Sequence, residues 1–108
     1  MNLNPKTNKV IGHALHLIRE DLGLTREEVV AREMDGWARG VQTNLLNVEN
    51  AYVSISAPKL LSLLARYNVT LAQFEKVLGV AKDDVEEQER TAAGRTQALR
   101  DALLPGRE

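Results

Sequence analysis

Few side chains in this sequence are spaced for catalysis or for metal binding. His13 and His16 lie three residues apart and Glu20 lies four further on, a spacing that could hold a metal ion on one helix face. The chain has no cysteine and no second cluster of ligands, so partly exposed helix residues are the better interpretation. Neighbouring carboxylates such as Glu27 and Glu28 face apart on a helix, so no nucleophile, base and orienting group converge. We therefore expect neither an enzyme nor a bound metal or cofactor.

A second group of residues has the chemistry for nucleic-acid recognition. Four uncharged polar side chains follow Gly40 within one predicted helix: Gln42, Thr43, Asn44 and Asn47. Surface helices more often carry Lys and Glu, which are better helix formers. The amides of Gln and Asn offer a donor and an acceptor together, which match the major-groove edge of adenine. This polar face is either ordinary solvated surface or a surface for contact with bases.

The elements that must position these residues are helical. Caps and apolar periodicity predict five helices, with the approximate bounds 8–21, 25–34, 41–50, 56–68 and 70–79. Capping boxes begin the second helix, at Thr25 and Glu28, and the fifth, at Thr70 and Gln73. The one strand-like stretch, 51–56, is short and lies between two helical patterns. We therefore expect an all-α fold.

The C-terminal part of the chain differs in composition from the rest. Gly79 is expected to end the fifth helix, and beyond it the chain is rich in charge and poor in large apolar residues. Four apolar residues are spaced there along one helix face: Val85, Ala92, Leu99 and Leu103. We predict a further helix, over about 82–104 and ended by Pro105-Gly106, that serves dimerisation. The stripe is thinner than that of a convincing coiled coil, and partial disorder is the alternative.

Length and charge limit the class of protein. A chain of 108 residues, 44% apolar and 4% aromatic, predicts one soluble domain with an aliphatic core. No apolar run approaches the roughly 18 residues of a membrane span, and the polar segment 1–9 does not resemble a signal peptide. We therefore expect a cytoplasmic protein with no membrane partner. The net charge is −1, and residues 1–81 carry nine Lys and Arg against eight Asp and Glu, so charge alone does not predict nucleic-acid binding.

The ordered set of caps and apolar positions resembles the phage-repressor-like helix-turn-helix family, of the Cro/CI or XRE type. The residues that carry the resemblance are Ile11-Gly12, Leu15, Ile18-Arg19-Glu20, Gly23 to Val29, Leu45, Val48-Glu49-Asn50, Pro58, Leu61, Leu64-Ala65 and Tyr67 to Leu71. They cover about residues 10–79, and their order and spacing are specific together although no single piece is diagnostic. The resemblance implies a five-helix lambda-repressor-like DNA-binding domain over 1–81, followed by a C-terminal helical tail over 82–108.

The resemblance also implies roles for individual residues. In this family the second and third helices form the helix-turn-helix, and the third enters the major groove. The base-contacting positions then correspond to Gln42, Thr43 and Asn47, with Asn44 beside them. Phosphate contact is implied for Arg26, and we expect the same of two arginines that flank the groove-facing side, Arg32 and Arg39. The family pairs the positions of Arg19 and Glu49, so we expect a salt bridge between the ends of the first and third helices.

The turn between the second and third helices departs from the family pattern. The family usually joins these two helices by a turn of about three to four residues. The stretch from Val29 to Glu49 is about five residues longer than that spacing gives. The excess lies in the extended turn, residues 34–40, and the register of the base-contacting residues depends on it. Val41 stands where Ser or Thr usually caps the third helix. Trp37, the sole tryptophan, lies in this turn. Its side chain either covers the core as a lid or contacts DNA or a protein partner.

The function that this resemblance implies is sequence-specific binding of double-stranded DNA. We expect a transcriptional regulator, a repressor, that acts as a homodimer on a pseudo-palindromic operator. The alternative is an antitoxin or anti-regulator that binds a protein partner through its C-terminal segment, since a polar tail can fold on binding. A third possibility is a scaffold that keeps the fold without binding DNA.

Overall fold

Five helices follow one another along the chain. The computed structural model describes residues 4–103, apart from the side chain of Thr96. Within these residues 74% are helical and no strand occurs, which confirms the all-α prediction. The helices are α1 (Pro5–Asp21), α2 (Arg26–Val30), α3 (Gln42–Glu49), α4 (Ala57–Tyr67) and α5 (Leu71–Leu103).

The start of α1 lies one turn before the predicted position. Asn4 is the N-cap: its side chain accepts a hydrogen bond from the Thr7 backbone N–H at 2.7 Å. Pro5 follows in the first turn, where its fixed φ suits the helix and its missing N–H costs nothing. Asn8, the predicted cap, lies inside the helix, and its amide donates to Ser54 Oγ at 3.0 Å. The predicted start was wrong because two cap-type residues lie four apart, and the proline favours the first.

The core forms where α1 packs against α3 and α5, and where α2 packs against α3. It is aliphatic, as the composition predicts. The largest fully buried side chains are Leu15, Val29, Val30, Leu45 and Leu63. Each comes from one of the first four helices, and Phe74 and Ala81 add the contribution of α5. Burial of this hydrophobic surface is the main stabilising contribution that holds α3 in place.

Gly12 allows α1 and α3 to approach each other at backbone distance. A Cβ atom added at Gly12 would lie 2.5 Å from the Val48 carbonyl oxygen and 2.8 Å from that of Glu49. No side chain fits at such distances, so only glycine permits this crossing. The close approach brings the end of α3 directly against the middle of α1.

The predicted caps of the later helices are present. Both capping boxes form, with Thr25 and Glu28 at α2 and with Thr70 and Gln73 before α5. Ser56 caps α4 by accepting from the Lys59 N–H, and Asn68 ends α4 in the left-handed conformation at φ 57°. The stretch 51–56 is a connection rather than a strand, and Ala51 at its start has φ 61°.

The extended turn begins earlier than predicted, because α2 ends at Val30 rather than near Met34. The Gly40 N–H donates to the Val30 carbonyl at 2.7 Å. This hydrogen bond replaces the one that the Val30 carbonyl would accept from the next turn if α2 were longer. Trp37 packs the extended turn against α4. Its indole is buried, and its Nε1 donates to the Lys59 carbonyl at 3.0 Å. This position agrees with the interpretation of Trp37 as a lid over the core.

The end of the fifth helix was predicted wrongly. α5 does not stop at Gly79 but continues for 33 residues to Leu103. Ala81 and Val85, beyond the glycine, are 0% and 5% exposed, and α5 packs along α1. Burial of these side chains outweighs the helix penalty of glycine, about 1 kcal/mol. The separate helix predicted from Lys82 is therefore the continuation of α5, and its predicted end at Leu104 and Pro105-Gly106 lies outside the described residues.

Two glycine substitutions are expected to change stability in opposite directions. Gly79→Ala should raise the free energy of unfolding by about 0.5–1 kcal/mol, because it removes a helix penalty and a Cβ there meets no atom within 4 Å. Gly12→Ala should lower it by about 1–3 kcal/mol, because the methyl group forces α1 and α3 apart. Urea unfolding of both variants measures the two effects. Equal effects of the two substitutions would contradict the close approach of α1 to α3.

Candidate nucleic-acid interface

The exposed side of α3 carries the four predicted base-contacting residues. Leu45, Val48 and Glu49 are buried on the opposite side of the helix. Gln42 and Thr43 are exposed at the first turn, while Asn44 and Asn47 are half-buried beside them. Val41 is the N-cap of α3 and its side chain accepts no hydrogen bond, as the sequence predicts, so the N–H groups of the first turn donate to no capping side chain. We call the surface formed by Gln42, Thr43, Asn44 and Asn47 the amide face.

The amide face has an acidic neighbour at its edge. The Gln42 Nε2 donates to Glu27 Oε1 at 3.3 Å, which links the first turn of α3 to the first turn of α2. Glu27 and Glu28 suit the positive end of α2. The hydrogen bonds of the Thr25–Glu28 capping box lower the pKa of Glu28, so this carboxylate remains charged. An anion that approaches this edge therefore meets negative charge, and a polyanion is attracted only where arginines lie nearby.

The end of α3 is fixed by a buried carboxylate, Glu49, whose side chain is 1% exposed. Arg19 Nε donates to Glu49 Oε2 at 2.8 Å and Arg19 Nη2 donates to Oε1 at 3.1 Å. The salt bridge that the resemblance led us to expect between these two residues is thus present, in bidentate form. Arg19 Nη1 also donates to the Leu24 carbonyl at 2.8 Å. The hydrogen bond to Glu49 is the largest cause that raises the pKa of Arg19, and it exceeds the opposing effect of burial.

Arg26 also binds Glu49, and the sequence did not predict this contact. Its Nε and Nη2 both lie 3.0 Å from Glu49 Oε1, and its side chain is 29% exposed. The guanidinium therefore joins the start of α2 to the end of α3. The resemblance implies that Arg26 contacts phosphate. Only the guanidinium N–H groups that do not bind Glu49 could make that contact.

His16 completes the group around Glu49. Its Nε2 lies 2.7 Å from Glu20 Oε1, while its Nδ1 lies 3.2 Å from Arg19 Nη2 and 3.3 Å from Glu49 Oε1. The imidazole of His16 therefore lies between two carboxylates and the Arg19 guanidinium, and it adds a contact between α1 and the end of α3.

His13 has a different partner, Asp84 of α5, with Nε2 3.1 Å from Oδ2. The two histidines therefore tie α1 to different elements, and no group of three or more ligands among the described residues could hold a metal ion.

The other two predicted phosphate contacts lie on the loop side of α3. Arg32 and Arg39 are both exposed, and Arg39 Nε donates to the Ala31 carbonyl at 3.0 Å. Arg32 precedes the extended turn and Arg39 lies within it, one residue before Gly40. Lys59 also lies against the extended turn, with its Nζ over the Trp37 ring, 5.5 Å from the centroid.

The predicted dimerisation residues do not share one environment. Val85 is 5% exposed, so most of its side chain is already buried within its own chain. The heptad spacing placed it on the correct face, but α1 covers that face as far as Val85. Ala92 is exposed further along α5, and Leu99 and Leu103 are 60% and 66% exposed.

Sequence reasoning missed the contacts that converge on Glu49 from Arg26 and His16, and the His13–Asp84 pair. His13 and Asp84 are 71 residues apart, and only the continuous α5 brings them together. The sequence held one indication of these contacts. Arg26 stands at the start of α2 beside its apolar stripe, and His16 lies one turn before Arg19 on α1. That signal does not identify a partner.

Comparisons with protein-family models, with curated proteins and with solved structures find no match for this chain. No helix in residues 4–103 is long and apolar enough to cross a membrane. The geometry of the chain itself is therefore the basis for any assignment of function.

Removal of the Glu49 carboxylate is expected to destabilise the fold strongly. Glu49→Ala leaves the buried Arg19 guanidinium without its partner, so we expect a loss of about 3 kcal/mol in unfolding free energy. Arg26→Ala should cost less, because its side chain is partly exposed. Glu33→Ala, at an exposed position, is the matched control and should change stability little. Equal urea midpoints for Glu49→Ala and Glu33→Ala would contradict this role of Glu49.

Proposed function

We propose that this chain is a sequence-specific DNA-binding transcriptional regulator, a repressor that acts as a homodimer. The observation that carries the proposal is the amide face: four uncharged polar side chains on the exposed side of a short helix whose other side is buried. A helix with this distribution can enter a major groove, where amides pair with adenine and hydroxyls pair with several bases. α2 and α3 then act as the helix-turn-helix, with the extended turn between them.

The way in which α3 is held supports this proposal. A helix that distinguishes base pairs must be fixed to within a fraction of a hydrogen-bond length, so its support has to be rigid. Gly12 places α3 in backbone contact with α1, and Glu49 fixes its last turn with charge-assisted bonds from two other helices. The residues of the amide face take no part in these two contacts, and Gln42 adds a separate link to α2 through Glu27.

The charge of the surface predicts how strongly DNA binds. Arg32 and Arg39 are the exposed cations at the turn, while Glu27 lies at the edge of the amide face. Few phosphates are neutralised by one chain, so nonspecific affinity should be low. Binding of two half-sites by a dimer compensates, because the second contact is then intramolecular. This balance is the reason to propose a dimer on a pseudo-palindrome.

Selection of bound duplexes from a random pool tests the proposal directly. We expect the full-length chain to enrich a sequence with two inverted half-sites about one helical turn apart. A chain in which Gln42, Thr43 and Asn47 are all changed to Ala is the control and should enrich nothing. Failure of the wild-type chain to enrich any sequence would contradict the proposal. It would favour the second candidate, a protein that binds a protein partner through the exposed part of α5.

Gln42→Ala is expected to lose discrimination at one base pair of the selected site. The Gln42 amide stands in the first turn of α3 and can form a bidentate pair with adenine, so its loss should cost about 1–3 kcal/mol at that position only. Binding to all single-base variants of the site measures this. Glu75→Ala, at an exposed position on the first part of α5, is the control. An unchanged preference at every position would show that Gln42 does not contact a base.

Arg32→Ala is expected to weaken binding to all sequences alike. An exposed arginine beside the extended turn can reach phosphate but carries no sequence information, so the slope of log K against log salt should fall by about one for each Arg32 removed. Lys76→Ala, an exposed cation on the first part of α5, is the control and should leave the slope unchanged. A change of base preference in Arg32→Ala would contradict the phosphate role.

A further inference from the structure

The distal part of α5, residues 86–103, extends past the body of the molecule. Among the side chains that the structure describes, Val85 is the last buried one of the helix. Beyond it Glu86 alone of these is half-buried, and it forms an ion pair with Lys6 at 3.7 Å. At 1.5 Å per residue this segment is about 26 Å long. The molecule accordingly measures 61 × 30 × 28 Å. A helix of this length is marginally stable without packing, so it gains stability if another surface covers it.

One side of this distal segment is apolar. Ala92, Leu99 and Leu103 continue the line of Val85 along the helix, at steps of seven, seven and four residues. Leu99 and Leu103 are 60% and 66% exposed. This stripe is a continuation of the face that α5 turns toward its own core, so its partner approaches from the same side as α1.

Charge is distributed unequally along the same helix. Residues 83–89 contain five carboxylates and no cation, whereas residues 90–103 contain three arginines and one carboxylate, Asp101. Two parallel copies would set carboxylates against carboxylates and arginines against arginines. Two antiparallel copies centred on Gly94 move the two carboxylate-rich segments apart and bring Arg100 of each copy level with Glu87 and Glu89 of the other, which is the favourable arrangement.

We propose that distal α5 pairs with distal α5 of a second copy, antiparallel, with the two-fold axis at the level of Gly94. In this register Leu103 reaches the level of Val85 of the second copy, at the edge of its core. Arg100 lies beside Glu89 of the second copy, and both flank the apolar stripe on the same side. A groove lined by Lys9, His13, Val85, Gln88, Glu89 and Ala92 receives the end of the incoming helix.

This inference deepens the proposed function, since it specifies the contact that forms the homodimer. It also determines how the two amide faces relate, because an antiparallel pair holds the two bodies at opposite ends of one shared helical segment. The contact is independent of DNA, so it can be tested in the absence of DNA, and its failure is distinguishable from a failure of DNA binding.

Cross-linking of full-length single-cysteine variants tests the orientation, because the chain has no cysteine of its own. Gln88→Cys and Ala102→Cys lie on one flank of the stripe, at nearly equal distances on either side of Gly94. In the antiparallel pair the two like cysteines of Gln88→Cys are about 18 Å apart along the axis, and those of Ala102→Cys about 24 Å. A short bismaleimide should therefore cross-link only the mixture of the two variants.

The other outcomes overturn the proposal. Cross-linking within each single variant would show a parallel pair. No cross-linking in either variant or in the mixture would show that distal α5 does not pair with itself, which would favour a different protein as its partner. A second measurement does not depend on cysteines: Arg100→Glu and Glu89→Arg should each weaken self-association about tenfold in sedimentation, and their mixture should restore it. Failure of the mixture to associate better than either variant alone would contradict the Arg100–Glu89 contact.

Discussion

The buried carboxylate of Glu49 is the point at which three helices are fixed to one another. Arg19 of α1 and Arg26 of α2 both donate to it, and it ends the last turn of α3. One carboxylate therefore faces two guanidiniums, and any change that removes it leaves positive charge where water is nearly excluded. Close packing at Gly12 makes this arrangement possible, because it brings the end of α3 against α1. The position of the amide face depends on both features.

Local signals predicted most of the helices, and long-range packing decided where they end. The capping boxes at Thr25 and Thr70 were predictable because their hydrogen bonds join residues three apart. Gly79 was expected to stop a helix, but Ala81 beyond it is buried, and no local pattern reveals that burial. For the same reason the sequence did not show that α2 ends at Val30. Its last carbonyl binds Gly40, and the intervening turn is held by the buried Trp37.

In the candidate site, the exposed residues of α3 were predictable from the sequence, whereas the contacts that hold the helix were predictable only in part. The four residues of the amide face could be assigned from α3 alone, because the apolar residues of one short helix determine its exposed side. The Arg19–Glu49 pair followed from a resemblance and not from spacing. The contact of Arg26 with Glu49 could not be derived, because it depends on the crossing of α2 and α3. The same arginine can therefore support α3 while also lying near the proposed DNA surface.

The central claim is that the amide face contacts base pairs, and side-chain amide resonances test it most directly. Titration of the nitrogen-15-labelled chain with its selected duplex should shift the NH₂ signals of Gln42, Asn44 and Asn47. The signals of Gln88 and Gln97, on α5, should remain in place. Shifts confined to α5, with the amides of α3 unchanged at saturation, would contradict the account and place the binding surface elsewhere on the molecule.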